Sequence, residues 1–138
     1  EFANKVGANK VINTATHTDG LKTYQAGKGY FDVLFECSGV GPVVVSTVPC
    51  IRPGGTMVQL GLGGDMTLPI QAMTAKELTF KGSFRFHAEF FSAVELMRSD
   101  RLDVMPLITH TLPLADTVKA FELASDRTKA LKIQIEFN

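Results

Sequence analysis

Apolar side chains come in short bursts along this chain, and the spacing inside the bursts switches between two periods. Phe31-Asp32-Val33-Leu34-Phe35-Glu36 is rich in β-branched and aromatic residues and halts at Cys37-Ser38-Gly39, the pattern of a strand running into a turn. Thr56 to Leu60 repeats that pattern and stops at glycines 61, 63 and 64, and Leu78 to Phe84 gives a further strand. Ahead of them, Lys10 to Asn13 is a short strand candidate. Thr16-His17-Thr18 opens a helix that carries Leu21 and Tyr24 on one side and ends at Gly27 and Gly29. Phe90, Val94 and Met97 share a helix face, Leu107 to Leu112 is extended, and Thr117, Ala120, Phe121 and Ala124 mark a last helix. Leu131 to Phe137 alternates as a closing strand.

Two stretches resist this scheme. Gly41 to Val48 has the β-branched residues of a strand, yet Gly41-Pro42 suits the first turn of a helix, and periodicity does not choose between them. Ile51-Arg52-Pro53-Gly54-Gly55 reads as a turn by its Pro-Gly dipeptide. The opening residues, Glu1 to Gly7, read as the last turns of a helix capped by Gly7, which is the expectation for a fragment that starts inside a helix. Consecutive parallel strands need a crossover, and every interval between the strands here leaves room for one, so the expected class is α/β. In such sheets ligands gather at the carboxyl ends of strands, which singles out residues 37–39, 60–62 and 84–86.

The 138 residues, 45% of them hydrophobic, suffice for one core and one globular unit. Fourteen Lys and Arg balance fourteen Asp and Glu, so no field draws the chain to nucleic acid, and no apolar run approaches the roughly 20 residues of a membrane span. Only two cysteines occur, without a metal-ligand spacing, and no leader precedes Glu1; a cytoplasmic protein is expected.

The chemistry-bearing residues are sparse. Gly39 and Gly61, at strand ends, either let a ligand reach the main chain or relieve tight turns; spacing leaves both open. Gly61-Leu62-Gly63-Gly64 does not match the G-x-G-x-x-G phosphate loop, and Asp65 with a proline-bearing segment follows where a helix should start. Arg85 between Phe84 and Phe86 is either a cation fixed beside an aromatic wall, suited to a carboxylate or phosphate, or an ordinary solvated side chain. His17, His87 and His110 are too scattered to form a metal set. Ser38 and Cys37 lack a neighbouring histidine and a nucleophile elbow, which argues against hydrolase chemistry. Cys50 reads as a small buried residue, and the five methionines as core filling.

The segments Gly29 to Val33, Phe35 to Gly39, Arg52 to Leu62 and Lys81 to Phe86, continued by Pro106 to His110 and Ala120 to Glu122, together resemble the zinc-dependent medium-chain alcohol and polyol dehydrogenases. They lie close to the sorbitol dehydrogenase branch, and Gly82 to Phe86 is similar to the L-idonate 5-dehydrogenases within it. The resemblance implies the C-terminal part of a Rossmann-like doubly wound parallel sheet lacking its first two strands. Residues 1–103 would hold strands 3 to 6 of a single partial NAD-binding domain, and 104–138 a tail packing towards a catalytic domain. It implies NAD as cofactor, with Leu60, Gly61 and Leu62 at its nicotinamide end, Phe84 and Arg85 as the next contact, and Cys37, Ser38 and Gly39 flanking its adenosine side. Arg85 and Phe86 would border a small polyol or sugar-acid substrate. Where sorbitol dehydrogenases commonly have tyrosine, Phe86 has no hydroxyl, which favours a different polyol or a sugar acid.

The resemblance also makes the Gly41 stretch a helix, kinked or ended by Pro49. It assigns no catalytic or metal residue to this chain, places the zinc ligands in an N-terminal part, and implies a homo-oligomer, dimer or tetramer. In strand order 3-2-1-4-5-6 the missing strands belong between the one at Val11 and the one at Val33, so exposed edges, direct re-pairing or self-association are expected. A non-catalytic nucleotide-binding or self-assembling α/β module is the competing reading.

Overall fold

A strand needs a neighbour to hydrogen-bond with, and this decides which apolar bursts become one. In a computed structural model describing residues 2–126 and 128–137, the elements run α1 (Phe2–Lys5), α2 (Lys22–Gln25), β1 (Phe31–Glu36), α3 (Gly41–Thr47), β2 (Ile51–Gln59), α4 (Ile70–Ala75), β3 (Thr79–Gly82), α5 (Glu89–Arg98), β4 (Ile108–Pro113), α6 (Thr117–Ser125) and β5 (Lys132–Glu136). They fall into two compact units, residues 12–85 and residues 2–11 with 86–137. Both are α/β with parallel strands.

In the first unit β1, β2 and β3 lie side by side in that order, all parallel, with Glu36, Gln59 and Gly82 in register at their carboxyl ends. Alternation sorts the side chains. Leu34, Met57 and Phe80 share one face, and Val33, Phe35 and Val58 the other. The first face is covered: Val44 and Val48 after β1, and Met73 of α4, close with Ile51 and Met57 into a core that Leu34, Met66, Leu68 and Leu78 flank. Gly41 to Thr47 is therefore helical, with Pro42 in its first turn, and Pro49 ends it in a 3₁₀ turn, Val48–Cys50. Cys50 is buried, as expected, but among the methionines only Met57 and Met73 are buried; Met97 and Met105 are exposed.

Three expectations need correction. Residues 10–13 form no strand: with no partner on either side, Asn13 instead nucleates turns, its carbonyl accepting from Thr16 N and His17 N and its side chain from Ala15 N. The helix expected from Thr16 shrinks to Lys22–Gln25 and a 3₁₀ turn, while Tyr24 packs its ring on Tyr30 and Phe31. Arg52 to Gly55 is not a turn between elements but a bulge inside β2, because Phe31 pairs with Ile51 whereas Val33 already pairs with Thr56. Gly54 takes φ +72° there and donates its N–H to the Lys76 carbonyl, and the Lys76 ammonium donates to the carbonyls of Pro49 and Ile51.

The second unit is a β4-α6-β5 crossover, with β4 and β5 parallel and α6 against them, plus α1 and α5. Gly7 ends α1 with φ +95°, as a helix cap requires; Glu1 lies outside the described residues. Leu112 and Ala120 are this unit's buried hydrophobics among the described residues, and α5 buries none.

Candidate functional site

The in-register strand ends put Cys37-Ser38-Gly39, Leu60-Gly61-Leu62 and Ser83-Phe84-Arg85 at one edge of one sheet. Alternation turns the last side chains of β1 and β2, Glu36 and Gln59, towards the covered face, where a polar group must find partners or lose free energy. Glu36 is 4% exposed. Its carboxylate accepts from Ser38 N at 2.8 Å, from Gly39 N at 2.9 and 3.1 Å, from the Ser38 hydroxyl, and from Gln59 Nε2 at 2.6 Å. Its carbonyl accepts from Leu60 N and Gly61 N, both at 2.8 Å. Burial pushes the Glu36 carboxyl pKa up, but the hydrogen bonds from Ser38, Gly39 and Gln59 outweigh it and hold the pKa below its ordinary value.

Gln59 Nε2 also donates to the Gly61 carbonyl at 2.9 Å, while its Oε1 is buried without a partner among the described residues. Such an orphan costs about 1–3 kcal/mol. The two turns touch main chain to main chain. A Cβ on Gly61 would overlap Gly39 N and stand 2.5 Å from Glu36 Oε2 and 2.7 Å from Ser38 N. The space freed by the missing side chain at residue 61 is thus filled by the protein's own backbone, as is that at Gly39, which faces Leu62 and Gly63. Neither Glu36 nor Gln59 was among the residues singled out in the sequence, although each sits in phase with a core residue, the half-buried Leu34 or the buried Met57.

Arg85 extends its guanidinium over the Phe84 ring, 5.1 Å from the centroid, so the cation is held beside one aromatic wall. Phe86 belongs to the other unit, where its ring lies against Phe90, 4.9 Å between centroids. The main-chain groups of Leu62, Phe84 and Arg85 enter no hydrogen bond among the described residues. Beside this edge a groove of about 600 Å³ is lined by Gly39, Pro42, Ser46, Asp65 and Met66. Among the described residues no three His, Cys, Asp or Glu side chains come together in a way that would hold a metal. No helix among them is long and apolar enough to cross a membrane.

Parallel strands joined by helical crossovers, with turns gathered at their carboxyl ends, define a Rossmann-like α/β protein. The family model described as zinc-binding dehydrogenase matches residues 1–99, and the chain belongs to that family. It is 37% identical over 134 residues to the L-idonate 5-dehydrogenase (NAD(P)(+)) of Escherichia coli (strain K12), covering 96% of this chain and 38% of that protein. It is 36% identical over 132 residues to the D-xylulose reductase of Saccharomyces cerevisiae, covering 91% of this chain and 37% of that one. The crystal structure of the Escherichia coli K-12 L-idonate 5-dehydrogenase superposes with a TM-score of 0.80 at 35% identity, over 95% of this chain and 36% of that chain. The chain therefore spans less than two fifths of the length of these relatives.

Proposed function

We propose that these residues form part of the coenzyme-binding domain of an NAD-dependent dehydrogenase of polyols or sugar acids, similar to L-idonate 5-dehydrogenase. The observation that carries this reading is the alignment of Glu36, Gln59 and Gly82, which gathers three turns at one sheet edge. NAD would lie along it, with Cys37, Ser38 and Gly39 towards adenosine, Leu60, Gly61 and Leu62 towards nicotinamide, and Phe84 and Arg85 beyond. The unpaired main-chain groups of Leu62, Phe84 and Arg85 suit a planar carboxamide, which needs both a donor and an acceptor. When bound, the nicotinamide supplies the hydride-accepting carbon for a secondary alcohol. Arg85, steadied on Phe84, offers a cation to a sugar-acid carboxylate.

The described residues do not fit a zinc site, so no step is assigned to zinc here; in this reading its ligands lie outside the 138 residues. Two free thiols, Cys37 and Cys50, agree with a cytoplasmic setting, and a homo-oligomer is the expected assembly. A second reading, a self-associating module, is favoured by one observation, the exposure of Val33 and Phe35 on the uncovered sheet face.

The test is turnover. The longest reading frame that contains these residues should reduce NAD with L-idonate or a related polyol, and the isolated 138-residue chain, given zinc, should not. Zinc-dependent oxidation by the isolated chain, or none by the longer product, would overturn the reading.

A further inference from the structure

We infer that Glu36 and Gln59 act as one positioning latch that locks the 37–39 turn to the 60–62 loop, so that both sides of the coenzyme edge are held as a unit. This role rests on the coenzyme reading above. Three observations carry it. One carboxylate takes both turn amides, Ser38 N and Gly39 N, while the same residue's carbonyl takes Leu60 N and Gly61 N. Gln59 reaches from the second strand to that carboxylate and, with the same nitrogen, to the Gly61 carbonyl. Both of those partners only accept, so the amide orientation is fixed by chemistry: the nitrogen must face them and Oε1 must point away, into a buried position without a donor.

That orphaned oxygen separates a latch from ordinary packing. An apolar side chain of similar length would fill the same volume and spare the orphaned oxygen, but it would take a donor away from the buried Glu36 carboxylate and from the Gly61 carbonyl. What methionine could not do is hold the Glu36 carboxylate in place. Among the described residues the Gln59 side chain hydrogen-bonds only to Glu36 and Gly61, so it reaches Ser38 and Gly39 through the Glu36 carboxylate or through the Gly61 main chain packed against them, and the E36Q background separates the two. The absent Cβ at Gly61 completes the device, since only main chain on main chain brings the turns close enough for Glu36 to serve both, its carboxylate the 37–39 turn and its carbonyl the 60–62 loop.

The experiment is hydrogen exchange by mass spectrometry on the full chain, with and without NADH, for Q59M, E36Q and the double variant; Q59M serves where E36Q fails to fold. Q59M should speed exchange of the 37–39 amides about tenfold, more than any shift of its unfolding midpoint accounts for, the fold-change expected when a hydrogen bond to a charged acceptor is loosened. It should also weaken the protection NADH gives to both 37–39 and 60–62, and E36Q should do the same with the double variant no worse than E36Q alone. Unchanged exchange at 37–39 in Q59M, or E36Q and Q59M effects that multiply, overturns the latch. If NADH protects neither turn in wild type while Q59M still loosens 37–39, the coenzyme reading fails and the positioning role falls with it.

Discussion

The two faces of the three-stranded sheet are packed differently over β1 and β2. On one, Met57 is fully buried beneath Val44, Val48 and Met73. On the other, Val33 and Phe35 remain 45% and 64% exposed. Both faces carry apolar residues at strand spacing, so the sequence is written for a sheet covered on both sides, as in doubly wound folds, and these residues cover only one. Stability resides on the covered face, and the polar latch of Glu36 and Gln59 sits at the end of that same face. Its burial follows from the packing that the bare face lacks.

The comparison can be broken most severely at Met57. Met57→Ala should cost about 3–4 kcal/mol by opening a cavity among Val44, Val48, Ile51 and Met73, read as a lower midpoint in urea unfolding. A cost below about 1 kcal/mol would mean the core is not the one described. Glu36→Gln should cost about 2–3 kcal/mol at neutral pH, since it replaces a buried acceptor of several donors. Because the folded-state pKa of Glu36 is depressed, its contribution is present above the ordinary value of 4.5 and is lost as pH falls through the lower folded value. Wild type should therefore lose stability on acidification below that value more steeply than the Gln variant. Equal slopes would show that Glu36 is not the group being titrated.

At the other end of the scale, Phe35→Ser should change stability by no more than about 0.5 kcal/mol, because the ring gives up little burial. It should, however, lower the average mass in light scattering if the bare face drives self-association. A loss of stability matching that of Met57→Ala would mean the face is not bare.

Where neighbours in the chain decide structure, the sequence was readable. Phe31 to Glu36 shows itself by its β-rich run and the Cys37-Ser38-Gly39 stop, and Thr117 to Ser125 by its spacing. Lys10 to Asn13 misled because a strand is a pairing and no partner sits beside it. Pro53-Gly54 misled because a bulge and a turn ask for the same residues, and only the pairing of Phe31 with Ile51 and Val33 with Thr56 tells them apart. The strand-end edge proposed for the coenzyme was visible as three strand ends, while the Glu36–Gln59 pair beside it was hidden in plain alternation: Glu36 two residues after Leu34, and Gln59 two after Met57, are polar groups in phase with the core. That phase was the signal available for finding them. The glycines at 39 and 61 left two readings open, and main-chain contact across two distant turns is not a pattern any local spacing records.

Titration of NADH into the isotope-labelled chain, followed by amide chemical shifts, tests most directly whether the strand-end edge is where a dinucleotide binds. Shifts should concentrate in residues 37–39, 60–62 and 84–85 and move together along one binding curve. Shifts confined to other parts of the chain, or none at NADH concentrations well into the millimolar range, would contradict it.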